Sequence, residues 1–337
     1  MKVIIDNKIP YIKEAVEKIA TEAVFLPGDG FTKESVRDAD ALIIRTRTRC
    51  DRALLEGTRV RFIATATIGY DHIDVEYCRK AGIVWTNCPG CNAGSVEQYV
   101  HSVLLLLKRE KGLDLQNATI GVVGVGHVGS RVARMAEQLG MKVLLNDPPR
   151  ADKGEQGFVD LKTIARECDV VTFHTPLNRV GKYGTFHLAD EDFFLSLKRT
   201  PYIINSSRGE VVDTASLLSA LSGGQVKDAV IDTWENEPCI SSDLLEKAYL
   251  ATPHIAGYSA DGKANATRMS LEALCRFFGV EADCTISPPE LSGLQLSDNP
   301  EEACLQLYDP TRDSEWLKAS PEKFEWFRGN YPVRREF

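Results

Sequence analysis

The chain has 337 residues, enough for about two domains with cores of their own. Its 43% hydrophobic and 26% charged residues are those of an ordinary globular protein, and a net charge of −8 excludes a nucleic-acid binder working through a broad basic face. A small anionic ligand stays open, because a site can be locally basic on an acidic protein. No apolar run is long enough to cross a membrane, and no signal sequence is expected before the first strand. The nine cysteines are scattered and odd in number, which fits reduced thiols in a cytoplasm better than a disulfide framework.

In chain order, Lys2 to Asp6 reads as a short strand and Tyr11 to Ala20 carries helical spacing of apolar residues. Ala39 to Ile44 is a second strand, closing on Arg45-Thr-Arg-Thr-Arg49. If that strand continues, alternation puts the three arginines on one side and Thr46 and Thr48 on the other. A solvated, charge-protected strand edge is the simpler account; an anion-binding lobe at a strand's C-terminal end is the sharper one. Arg61 to Ala66 repeats the strand pattern and delivers Thr67 to Asp74, a turn opening a helix, and Ile83 to Thr86 is a further strand. The first ninety residues thus form a small α/β unit. Cys88-Pro-Gly-Cys91 has redox-motif spacing but reads more simply as a turn with two buried or semi-buried thiols.

From about Ser95 to Lys108 runs a helix apolar on most faces, which must be buried. The apolar strand Ile120 to Val123 then passes into Gly124-x-Gly126-x-x-Gly129 and a stretch of helical periodicity from Ser130. Strand, glycine turn and helix start together point to a dinucleotide site, where the backbone turns sharply and approaches a pyrophosphate at the helix N-terminus, against the alternative of a glycine turn in some other α/β protein. The next strand, Lys142 to Asn146, ends in Asp147, 21 residues after Gly126. An acid there accepts hydrogen bonds from both ribose hydroxyls and repels a 2′-phosphate, so the cofactor expected is NAD rather than NADP.

Four more strands follow, at Val170 to Phe173, Tyr202 to Asn205, Val226 to Ile231 and Tyr249 to Ala251, each ending in a polar loop. In a doubly wound sheet those loops share one edge, so Thr175, Ser206 to Arg208, Asp232, Glu237, His254 and Tyr258 should converge. Among six histidines His254 has the best setting, after a strand and with Glu237 as an acidic partner on the preceding loop. A carboxylate-held imidazole can take a hydroxyl proton, although on spacing alone a lone histidine is more often structural. His72, His101 and His187 have no comparable setting, and His174 is expected to shape the cofactor pocket. Arg208 is placed to hold a substrate carboxylate in bidentate fashion, or else to form a salt bridge between lobes. No grouping has metal-ligand spacing, so no metal is expected.

Gly124-Val-Gly-His-Val-Gly129, Asp147, Ser207-Arg-Gly209, Asp232 to Pro238 and Thr252-Pro-His-Ile-Ala-Gly257 together resemble the D-isomer-specific 2-hydroxyacid dehydrogenases. Finer matches include Pro89-Gly-Cys-Asn-Ala93, Asn146 to Asp152, His187-Leu-Ala-Asp190 and Ile255 to Tyr258, and the likeness covers essentially the whole chain. It implies a Rossmann-type doubly wound NAD domain, a flavodoxin-like α/β substrate lobe and a short C-terminal dimerisation segment. It also implies that Arg208 holds the substrate carboxylate and that His254, oriented by Glu237, is the acid/base. Gly124, Gly126, His127, Val128, Gly129, Asp147, Thr175, Ser206, Ser207, Arg208, Asp232 and Gly257 would contact NAD. Thr46, Thr67 and Tyr258 fall on substrate-contacting positions, with Arg45 and Arg49 as weaker candidates for a phosphate and Arg47 the weakest.

The layout implied is discontinuous. Residues 1–95, completed by 257–285, form the substrate lobe; 96–256 the NAD domain; and 286–337 a shortened dimerisation domain, giving a homodimer. A hinge between the lobes would let the cleft close around the hydride transfer. Gly94 and Ser207 depart from the family pattern within matching motifs, with little effect expected. The substrate implied is a small phosphorylated 2-hydroxy acid, while the same constellation also serves relatives acting on 3-phosphoglycerate, hydroxypyruvate or glyoxylate. A non-catalytic NAD(H)-sensing protein on the same fold is the alternative outside enzymes.

Overall fold

The computed structural model describes residues 1–290 and 295–336. The chain forms two compact units, Met1–Asn92 with Ser259–Ser292, and Ala93–Tyr258 with Gly293–Phe337. Residues 291–294 and 337, which fall in the expected C-terminal domain, lie outside the described residues.

The first unit is a five-stranded parallel sheet of β1 (Lys2–Asp6), β2 (Glu22–Leu26), β3 (Ala41–Ile44), β4 (Phe62–Thr65) and β5 (Val84–Thr86). Its order is β2-β1-β3-β4-β5, the flavodoxin-like arrangement. β1, β3 and β4 are apolar runs because helices cover both faces of a parallel sheet. β2 escapes the sequence pattern because its residues are only half-buried at the sheet edge. The helix Ala260–Phe278 belongs to this unit and buries Leu271, Leu274 and Cys275 in the core with β1, β3 and β4. Cys88 and Cys91 are buried in a turn, with the Cys88 thiol on the carbonyl oxygens of Thr65 and Ala266 at 3.4 and 3.3 Å. The structural reading of that motif holds, and burial pushes the Cys88 thiol up, away from reactivity.

The second unit is a six-stranded parallel sheet of β6 (Thr119–Val123), β7 (Lys142–Asn146), β8 (Val170–Phe173), β9 (Tyr202–Asn205), β10 (Asp228–Ile231) and β11 (Leu250–Ala251), in the order β11-β10-β9-β8-β6-β7. The order reverses between β6 and β8, which makes the topological switch point of a doubly wound fold. Beyond β7 the strand that would complete the first mononucleotide half is reduced to a single bridge, Leu145 to Phe158. Alternate residues of β9 enter two different cores: Tyr202 and Ile204 join the one built on the helix Ala93–Lys111, Ile203 the other. That helix buries Tyr99, Val100 and Val103 to Leu107, which is why it is apolar almost all round.

The C-terminal helices pack on this second unit. Cys304 and Tyr308 enter one core, Leu317 and Phe324 the other. Ser314, on the helix Thr311–Ala319, accepts the Ala251 N–H at 2.9 Å and so covers the two-residue edge strand β11. The three helices Pro300–Leu307, Thr311–Ala319 and Phe324–Gly329 thus belong to the second unit.

Candidate active site

The glycine turn leads from β6 into the helix His127–Gln138, whose N-cap is Gly126 with no side-chain capping bond. The amides of its first turn are therefore left to an outside acceptor. A Cβ on Gly126 would meet nothing within 4 Å, whereas one on Gly124, at φ 86°, would strike the His174 backbone at 2.8 Å. One on Gly129 would run into the Gly124 carbonyl. The turn is close-packed against the sheet and open at the position that would face a pyrophosphate. His127 is exposed and Val128 half-buried on the same turn.

Asp147, at the end of β7, accepts from the Val125 N–H at 2.9 Å and the Arg150 N–H at 3.2 Å, which sets its carboxylate beside the turn. At the ends of the neighbouring strands, His174 Nδ1, Thr175 Oγ1, Ser206 Oγ and Thr233 Oγ1 are buried with no hydrogen-bond partner. Buried polar atoms are ordinarily paired. A run of unpaired ones on the sheet edge beside a glycine turn fits a polar dinucleotide. The His174 ring donates to or accepts from Thr172 Oγ1 through Nε2 at 2.9 Å, and burial pushes its pKa down to about 3.

β9 delivers Ser206, Ser207 and Arg208. Asn205 organises this loop, taking the Ser207 N–H and O–H on Oδ1 and donating to the Arg208 carbonyl at 3.0 Å. The Arg208 guanidinium donates to the Ser207 carbonyl at 2.7 Å and forms no ion pair among the described residues of its own unit. Gly209 lies so close to the Trp234 carbonyl that a Cβ there is excluded, so the loops after β9 and β10 are pressed together.

The loop after β10 places Glu237, and the loop after β11 places His254. The His254 Nδ1 lies 2.8 and 3.1 Å from the two Glu237 oxygens. The Trp234 N–H also donates to Glu237 Oε1 at 2.9 Å, and the Trp234 indole donates to the Thr252 carbonyl at 2.9 Å. Burial alone would push the Glu237 carboxyl up. The His254 hydrogen bond and charge, the Trp234 amide and the Arg328 charge outweigh it and leave the pKa below the ordinary glutamate value. Both His254 and Asn236 take left-handed backbone angles, φ 55° and 60°, a conformation that costs free energy and is held only by its surroundings.

Asp232 does much of that holding. Its fully buried carboxylate accepts from Thr252 Oγ1 at 2.6 Å, the Ile255 N–H at 2.8 Å and the Ala256 N–H at 3.0 Å. Burial pushes this carboxyl up, against the His254 charge and those hydrogen bonds. Tyr99 extends the network, its hydroxyl 2.8 Å from Thr252 Oγ1. Asp232 therefore braces the histidine loop, a role its place after a strand did not announce. Gly257 and Tyr258 follow on the same loop, half-buried.

His187 corrects the expectation. Its Nε2 sits 2.7 Å from Glu235 Oε1, its Nδ1 3.6 Å from Asp213 Oδ1, and the other Glu235 oxygen caps the Thr214 N–H at 2.9 Å. The ligating atoms of the three lie within 4.8 Å of one another, a cluster that sequence distance conceals. The His187–Glu235 hydrogen bond, with Asp213 at ion-pair distance, makes a clasp between the loops that carry Arg208 and Glu237.

The first unit carries the remaining candidates. β3 stops at Ile44, and Thr48 N–H bonds back to the Arg45 carbonyl at 3.2 Å, so Arg45 to Arg49 form a turn and the alternation does not apply. Thr46 is exposed whereas Thr48 is buried with its hydroxyl on the Gly28 carbonyl at 3.3 Å. Arg45 reaches the Lys8 carbonyl at 3.4 Å and Arg49, 81% exposed, pairs with Asp51 at 3.0 Å. Thr67 shares its hydroxyl with Thr65 at 2.6 Å, and Thr65 in turn meets His72 Nε2 at 3.0 Å, giving that histidine a polar setting as well.

The sequence model described as D-isomer specific 2-hydroxyacid dehydrogenase, NAD binding domain, matches residues 96–256. The chain is similar to erythronate-4-phosphate dehydrogenase of Bacteroides fragilis, with 61% identity over 100% of this chain and 97% of the relative. It is also 60% identical to the enzyme of that name from Bacteroides thetaiotaomicron, with the same coverage. Among solved structures, D-lactate dehydrogenase from Aquifex aeolicus, complexed with NAD and lactic acid, aligns with TM-score 0.66 and 25% identity over 82% of this chain and 96% of that one.

Proposed function

Because the chain belongs to the D-isomer specific 2-hydroxyacid dehydrogenase family, we propose that it oxidises 4-phospho-D-erythronate to 2-oxo-3-hydroxy-4-phosphobutanoate with NAD, in pyridoxal 5′-phosphate biosynthesis. The observation that carries the chemistry is the Glu237–His254 pair on a strained loop. With Nδ1–H donated to Glu237, the lone pair of His254 Nε2 is the one available to the C2 hydroxyl proton. Glu237 then stabilises the imidazolium that forms. Arg208, which forms no ion pair among the described residues of its own unit, holds the substrate carboxylate through its planar fork. NAD, when bound, supplies the acceptor for the hydride leaving C2.

We assign to NAD the turn from Gly124 to Gly129, Asp147, Thr175, Ser206 to Arg208 and Gly257, with Asp232 fixing the loop beside them. Thr46, Thr67 and Tyr258 are assigned to substrate contact, and Arg45 and Arg49 to the phosphate. The enzyme is proposed to act in the cytoplasm as a homodimer, which light scattering of the purified protein checks by mass. No helix among the described residues is long and apolar enough to cross a membrane.

A panel of hydroxy acids tests the assignment, with NADH formation as the readout. 4-Phospho-D-erythronate is expected to give much the highest kcat/KM, above 3-phosphoglycerate, glycerate and lactate. Preference for any of the other acids would overturn the substrate. No turnover with any 2-hydroxy or 2-oxo acid would leave NAD(H) binding as the function.

A further inference from the structure

Arg334 is an arginine only 4% exposed, and among the described residues it has no carboxylate partner. Its two terminal nitrogens donate to backbone carbonyls, Ala256 at 2.6 Å, Ser95 at 2.9 Å and Ile255 at 3.4 Å, while its Nε is buried without a hydrogen-bond partner. The remaining face lies over the Tyr308 ring, 4.1 Å from its centre. Burying a cation this way costs free energy that an apolar side chain of similar size would not. What an apolar residue cannot do is span three carbonyls on two separate segments with one rigid fork.

Those segments are informative. Ile255 and Ala256 are the residues directly after His254, and their N–H groups are the ones held by Asp232. Both residues are thus gripped from opposite sides, a carboxylate on their N–H groups and a guanidinium on their C=O groups. Ser95 lies in the first turn of the helix Ala93–Lys111, so the same fork ties the histidine loop to a rigid element. His254, the residue before this gripped pair, has φ 55°, a conformation that persists only where its surroundings hold it.

The neighbours of Arg334 keep it in place. Gln98 donates to the Arg335 carbonyl at 2.9 Å, and Ser95 donates to the Glu336 carboxylate at 2.8 Å. Gly94 leaves the space that the Glu336 carboxylate occupies, since a Cβ there would meet it. Tyr331 anchors the segment from the other end, donating to the buried Asp313 at 2.6 Å and meeting Tyr258 edge-on at 5.9 Å between ring centres.

We propose that Arg334 is a positioning residue of the oxidation, which holds His254 in register by locking the carbonyls of the two residues that follow it. It touches neither substrate nor cofactor and acts through the loop. The inference rests on the function proposed above for the Arg208, Glu237 and His254 site.

The test uses the full-length chain as wild type, Arg334→Met and Arg334→Lys, with kcat expressed per NADH-binding site. NADH fluorescence gives the number of sites and the Kd, and 4-phospho-D-erythronate gives kcat and KM. Misplacing an acid/base by about 1 Å costs on the order of 100-fold, so Arg334→Met is expected to lose about 30- to 100-fold in kcat. Its KM and NADH Kd should stay within about threefold of wild type, the pattern of an interaction that matters only in the transition state. Lysine reaches one carbonyl but not three, so Arg334→Lys should recover about tenfold of that loss. A kcat per site within about threefold of wild type in Arg334→Met sinks the proposal, and so does a loss confined to KM. Should Arg334→Met not fold, Arg334→Lys decides: a reduced kcat with KM held supports the role, and wild-type kcat refutes it. A wild-type protein inactive on every hydroxy acid would remove the function and this role together. Active wild type with unaffected variants removes this role alone.

Discussion

The sharpest test of the catalytic geometry is Glu237→Gln. In the native protein Glu237 Oε1 takes the Trp234 N–H, and both carboxylate oxygens face His254 Nδ1. An amide has one oxygen to offer. If that oxygen stays with the Trp234 N–H, the NH2 group meets His254 Nδ1 and turns it into an acceptor. The ring proton then moves to Nε2, and the nitrogen meant to accept the hydroxyl proton has become a donor.

A second loss comes from charge. Two unit charges about 4 Å apart interact by about 4 kcal/mol at an effective dielectric near 20. His254 and Glu237 are 29% and 19% exposed, so about half of that is lost to solvent screening. The imidazolium formed in the reaction is therefore destabilised by about 2 kcal/mol, about 30-fold in kcat, and a tautomer change of similar size takes the total to about 4 kcal/mol, about 1,000-fold. The assay is NADH formation at saturating NAD and substrate, with NADH binding measured in parallel. NADH Kd should hardly move, because the carboxylate faces the histidine. A Glu237→Gln enzyme retaining kcat within about threefold of wild type would refute the assignment of proton acceptor and orienter.

Three further outcomes are expected. Arg208→Gln should lower kcat/KM for the hydroxy acid by about 100-fold, and Arg208→Lys should restore little, since charge-assisted bidentate bonding needs the fork; steady-state kinetics check both. Asp147→Ser removes the acid beside the glycine turn while leaving an oxygen for one N–H, so the ratio of kcat/KM with NAD to that with NADP should fall by about tenfold or more. His174 has a folded-state pKa pushed from 6.5 down to about 3, so the unfolded chain takes up its proton first. Its contribution to stability is then present above about pH 6.5 and lost as pH falls towards 3. Urea unfolding at about pH 7 and pH 4.5 should show a smaller stability difference for His174→Gln than for wild type, and an equal difference would place the acid sensitivity elsewhere.

Much of this was legible in the sequence because the information is local. An apolar run followed by Gly124-x-Gly126-x-x-Gly129 can only be a buried strand entering a close-packed turn, since a Cβ at two of those positions has nowhere to go. The strands that end in Arg208, Glu237 and His254 announced themselves by buried apolar runs, and parallel pairing alone puts their C-terminal ends on one edge. That rule makes Glu237 a candidate partner for His254, and the two side chains meet at 2.8 Å.

What stayed hidden depends on residues far apart in the chain. β2 is half-buried at a sheet edge, so its residues carry too weak a pattern to read. Arg45 to Arg49 looked like a continued strand because alternation says nothing about where pairing partners run out. Asp232 bracing the histidine loop, and the His187–Glu235 clasp, join residues whose only signal is three-dimensional proximity. Arg334 is the extreme case. It stands 80 residues beyond His254, in a stretch with no catalytic motif, and only the packed structure brings its guanidinium onto the carbonyls beside that histidine. Local pattern is enough to specify strands, turns and a cofactor, because each is decided by a few neighbouring side chains. The loop that carries the acid/base is held by buried polar groups from distant segments, and only folding brings those segments together.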